Sequence, residues 1–107
     1  MPPVKEVTSI KEFAEATSLG PKQLVLVEVY AKSGSAQASV PRDLQQISDE
    51  KNIPVVRVNL HEAEDVVGLL DITTVPSVAL FRNGNKVDVI TGEDAHDIER
   101  KIQEYSV

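Results

Sequence analysis

The sequence predicts an α/β fold in the order β-α-β-α-β-α-β-β-α, with a central mixed five-stranded sheet flanked by helices. Three observations predict it. Residues 23–30 and 55–60 are nearly unbroken apolar runs rich in β-branched side chains, the pattern of strands buried on both faces. Each is followed by apolar residues at helical spacing, so the first part of the chain alternates strand and helix. Beyond Val75-Pro76 the period changes, and two strands in succession are joined by Asn83-Gly84, a strong hairpin signal.

The elements follow in order. Residues 4–8 form a short opening strand. Ser9 and Glu12 then have capping-box spacing, and Ile10, Phe13 and Ala14 give the next helix one apolar face. Gly20-Pro21 stops that helix and leads into the first buried strand, whose single acid is Glu28. Residues 31–36 form a small, polar loop. Val40, Leu44 and Ile47 recur at helical spacing beyond it, with Pro41 expected to kink the helix near its start. Pro54 opens the second buried strand, which carries Arg57, and Ala63, Val66, Val67 and Leu70 mark a short helix. Val78, Leu80 and Phe81 lie in the outgoing strand of the hairpin, and Val87, Val89 and Thr91 alternate on its return. Gly92 leads into a closing helix with Ile98, Ile102 and Tyr105 on one face and Asp94 or Asp97 at its positive N-terminus.

Composition narrows the chemistry. The 107 residues, 41% of them hydrophobic, suit a single domain spanning residues 1–107, with one core and therefore one site. A net charge of −6 disfavours nucleic acid and anionic membranes, so protein or an extended peptide is the expected partner, with oligomeric state left open. The first residues lack a signal-peptide pattern, and no stretch approaches the ~20 apolar residues of a membrane span. An intracellular, by default cytoplasmic, protein without membrane insertion is the resulting expectation. The chain contains no cysteine, which removes disulfides, thiolate nucleophiles and cysteine metal sites together.

Several positions strengthen one resemblance. Residues 26–31, Leu-Val-Glu-Val-Tyr-Ala, look like a strand running into an active-site loop, with Glu28 in the place of a buried acid. Thr74-Val75-Pro76-Ser77 looks like a cis-proline loop, Phe81-Arg82-Asn83-Gly84 like a hairpin, and Gly92 like a glycine bordering a substrate groove. In this order and spacing the chain resembles the thioredoxin family over residues 4–105. The resemblance implies the thioredoxin fold, a cis bond before Pro76, and a groove in which Val75, Pro76 and Gly92 face an extended peptide. It also implies that Arg57 stands where the family has a lysine facing its buried acid.

The departure falls on the chemistry. The family's Trp-Cys-Gly-Pro-Cys corresponds to Ser33, Gly34, Ser35, Ala36 and Gln37, so glycine and glutamine stand in place of the two cysteines. Thiol–disulfide exchange needs one thiolate to attack and a second thiol to release the mixed disulfide. Dithiol oxidoreductase activity is thereby excluded, and the block is a degenerate active-site loop with no catalytic residue assigned.

The remaining candidates divide between chemistry and structure. Glu28 is either a proton donor and acceptor or half of a buried ion pair with Arg57, since an isolated carboxylate in such a strand is costly. His61, Glu62, Glu64 and Asp65 match no common metal spacing and suit a helix start, so no metal or other cofactor is expected. His96 and Asp97 read as a solvated charge pattern. Ser33, Ser35 and Ser39 either cap the following helix or present its start to an anion. The leading function is a redox-inactive module that binds protein or peptide, or a subunit of a larger assembly. The alternatives are a glutathione- or small-thiol-binding enzyme using a loop serine, and a holdase-type chaperone.

Overall fold

The computed structural model describes residues 2–32 and 40–106. The degenerate loop expected at Ser33, Gly34, Ser35, Ala36 and Gln37, together with Ser39, lies outside the described residues. The element order is β1 (Val4–Val7), α1 (Ile10–Thr17), β2 (Leu24–Tyr30), α2 (Arg42–Lys51), β3 (Val55–Asn59), α3 (Glu64–Leu70), β4 (Ser77–Arg82), β5 (Asn85–Thr91) and α4 (Ala95–Tyr105). This is the predicted order.

The five strands form one mixed sheet in the order β1-β3-β2-β4-β5. β3 runs parallel to both β1 and β2, whereas β4 is antiparallel to β2 and to β5. The apolar runs end in the centre because only there are both faces covered. Alternate side chains of β2 sort to opposite sides. Val25, Val27 and Val29 pack with Phe13 and with Val66, Val67 and Leu70 of α3. Leu24 and Leu26 pack instead with Leu44 and Ile47 of α2 and Ile98 and Ile102 of α4. Phe13 meets Phe81 edge to face, with ring centroids 5.2 Å apart, and so ties α1 to the hairpin strand.

The helix starts follow local chemistry. Ser9 Oγ accepts the Glu12 N–H at 3.1 Å, and Glu12 Oε1 reaches back to the Thr8 N–H at 3.2 Å, one residue earlier than a standard capping box. Asp94 caps α4 by accepting from the N–H groups of His96 and Asp97. Gly84, at φ +81°, occupies a hairpin position where a Cβ would come within 2.8 Å of Ser18 Oγ.

Two local expectations change. Ile10 is 46% exposed and Ala14 is also exposed, so the inner face of α1 is formed by Phe13 and Thr17. Thr17 can lie there because its hydroxyl donates to the Phe13 carbonyl at 2.9 Å, which removes the cost of burying it. Pro41 does not kink α2. It stands at the N-cap with φ −55° and ψ 137°, and the described helix begins after it, at Arg42, where a missing N–H costs nothing.

Candidate functional site

The row of side chains that builds the site is set by strand register. Glu28 of β2 lies opposite Arg57 of β3, which lies opposite Glu6 of β1. All three point to the sheet face that carries Leu26 and Val55. Arg57 Nε donates to Glu28 Oε1 at 2.6 Å, with 6% and 2% of the two side chains exposed. The guanidinium also lies 4.2 Å from the centroid of the Tyr30 ring. Tyr30 in turn donates its hydroxyl to Glu6 Oε1 at 2.7 Å. Burial and that acceptor push the phenol well above its ordinary range, so it stays protonated. The acid and the cation therefore satisfy each other inside the sheet, in the arrangement that makes a buried charge tolerable.

A shallow cavity of about 340 Å³ opens above this row, lined by Glu28, Tyr30, Arg57, Val75, Pro76 and Glu93 among others. The Val75–Pro76 peptide bond is cis. Gly92, at φ +89°, donates its N–H to the Pro76 carbonyl at 2.8 Å, which fastens the β5–α4 turn to the proline loop. Ser77 Oγ closes the same loop on the Thr74 carbonyl. Among the described residues the Val75 backbone makes no hydrogen bond. Asn59 holds the end of β2 in place. Its side chain accepts from Lys32 N–H at 3.2 Å and donates to the Lys32 carbonyl at 2.9 Å.

Glu93 is the residue that sequence reasoning missed. It follows Gly92 and turns towards Glu28. Burial raises its carboxyl to about 7, reinforced by the hydrogen bond that protonated Glu93 donates to the Glu28 carboxylate and by repulsion from that carboxylate, and opposed by Arg57. Its signal was available: an acid directly after the glycine of a groove, level with the end of the strand carrying Glu28. His61, Glu62, Glu64 and Asp65 are exposed around the start of α3, and His96 is exposed on α4. Among the described residues no three His, Asp or Glu side chains gather as a metal-holding group.

The thioredoxin family model matches residues 4–104. The chain belongs to the thioredoxin family. It is 26% identical over 105 residues to thioredoxin of Ictalurus punctatus, covering 95% of this chain and 98% of that protein. It is 25% identical over 104 residues to human glutaredoxin-3, covering 96% of this chain but only 31% of that protein. The solved structure of reduced Schistosoma mansoni thioredoxin pre-protein has the same fold, with a TM-score of 0.81, 18% identity and coverage of 95% and 97% of the two chains. This thioredoxin-family chain keeps the buried acid, the proline loop and the bordering glycine, and has no cysteine for dithiol exchange.

Two predictions test the charges. Arg57→Ala should lower unfolding free energy by ~3–5 kcal/mol, because it strands a buried carboxylate, whereas Glu28→Gln should cost less. Chemical denaturation of both variants measures the difference, and a wild-type midpoint for Arg57→Ala would remove the pair from any structural role. Glu93 contributes the other. Its folded value lies above the unfolded 4.5, so its stabilisation is complete below that pH and is lost as pH rises through about 7. Glu93→Gln should flatten this loss and exceed wild-type stability at about pH 8. Melting curves across that range, with carboxyl NMR titration of wild type, check it.

Proposed function

We propose that this chain is a redox-inactive thioredoxin-like module that takes an extended segment of a protein partner beside Val75, Pro76 and Gly92, alone or as a subunit of a larger assembly. The observation that carries this reading is the Val75 backbone at the rim of the cavity, which makes no hydrogen bond among the described residues, on a chain without thiols. An added strand would pair with the Val75 N–H and C=O, so most affinity would come from backbone hydrogen bonds. Gly92 leaves space beside it, since a Cβ there would meet nothing within 4 Å.

The length of the match supports a modular role. The chain corresponds to about a third of human glutaredoxin-3, in which a thioredoxin-like segment is one part of a longer protein. The carboxyls in the groove, Glu28 and Glu93, have no thiol to serve. Their role in this reading is to hold the β5–α4 turn against β2, and so to keep the groove open to a segment lying across it.

The experiment is partner recovery with groove variants. Val75→Arg would block strand pairing, but Val75 packs partly against the core under α1 and α3, so this change also carries a folding cost. Thr74→Arg is the complementary probe, because Thr74 is exposed next to the same backbone edge. Both folded variants should lose a partner that the wild type retains, by at least about tenfold in affinity. Retention of every wild-type partner by both variants would move the interface elsewhere, such as to the outer face of α4 with His96 and Arg100.

A further inference from the structure

A second and larger pocket, of about 590 Å³, lies at the other end of the same sheet face. Leu24 lines it, whereas Tyr30 lines the groove. Six residue steps along β2 separate Leu24 from Tyr30, roughly 20 Å at strand rise, and the two linings share no residue.

Its charge is opposite to that of the whole molecule. Lys22, Lys51 and Arg82 line it and, among the described residues, no acidic side chain does, in a chain of net charge −6. A simpler reason for cations here is that two helices end nearby, α2 at Lys51 and α4 at Tyr105. Each helix C-terminus carries about half a negative charge, so the two together offset about one of the three cations. Both ends are also already served. The Asn52 N–H donates to the Ser48 carbonyl at the end of α2, and Arg82 Nη2 donates to the Tyr105 carbonyl at the end of α4. A surplus of about two positive charges is left facing the pocket. In addition, Arg82 Nε is buried without a hydrogen-bond partner, the single such side-chain atom among the described residues.

We propose that this pocket binds the phosphoryl group of a small phosphorylated polyol. A surplus of about two charges matches a phosphate dianion better than a single carboxylate. The volume is about twenty times the share of one water in the liquid, so it holds more than an inorganic ion. No aromatic side chain lines it to stack a nucleobase, while Gln23, Asn52 and Ser106 offer amide and hydroxyl groups for sugar hydroxyls. Two of the cations, Lys22 and Lys51, are exposed, and binding on the order of 1 mM is the expected strength.

The test is a titration of isotope-labelled protein with glucose 6-phosphate, followed by amide NMR, with glucose and sodium sulfate in parallel at matched ionic strength. Glucose 6-phosphate should give saturable shifts at Lys22, Asn52 and Ile53, and glucose should give none. Lys22→Glu combined with Lys51→Glu should weaken binding at least about tenfold while the remaining amide pattern stays that of wild type. Lys22→Ala with Lys51→Ala repeats the comparison without introducing acids. No saturation with glucose 6-phosphate, or equal binding by the double variants, would overturn the site. Sulfate binding as tightly as glucose 6-phosphate would overturn the polyol assignment.

Discussion

The structure turns on a single buried contact, the 2.6 Å hydrogen-bonded ion pair between Arg57 and Glu28 at the middle of the sheet. Glu28 is 1% and Arg57 5% exposed, so neither charge has water to fall back on. Each offsets much of the cost of burying the other, and that pairing favours the alignment of β2 and β3 in which they face. A slip of one residue would turn Glu28 to the face occupied by Val25, Val27 and Val29, where it would meet only hydrocarbon. The apolar runs alone would tolerate such a slip, since both faces of these strands are buried. The ion pair supplies register specificity where the hydrophobic pattern supplies little.

The same pair organises the groove. Arg57 carries the Tyr30 ring on its face, Glu28 holds Glu93, and Glu93 follows the glycine bonded to the Pro76 carbonyl. A chain of contacts thus runs from the core to the rim without any sulfur. None of these contacts depends on a thiol, and the chain has none.

Much of the fold was legible in the sequence because its signals are local and periodic. The two apolar runs, the Asn83-Gly84 turn and the Ser9 cap each rest on a few adjacent residues, and each stands where the pattern puts it. Glu28 and Arg57 were conspicuous because each interrupts an apolar strand. Less legible were features that need tertiary information. The inward turn of Thr17 depends on a hydroxyl bonding back to Phe13, which periodicity counts as a polar residue facing out. Glu93 looks like a surface acid until the turn brings it against Glu28. Arg82 and the two lysines of the second pocket lie in three separate segments, and only the fold gathers them.

The central claim is that the proline loop still pairs with a partner's backbone although its chemistry is gone. Amide hydrogen–deuterium exchange of Val75, with and without the partner that the groove variants lose, tests this most directly. Pairing predicts that the Val75 amide exchanges markedly more slowly in the complex while the outer face of α4 is unchanged. Unchanged exchange at Val75, with protection appearing on α4 instead, would contradict it.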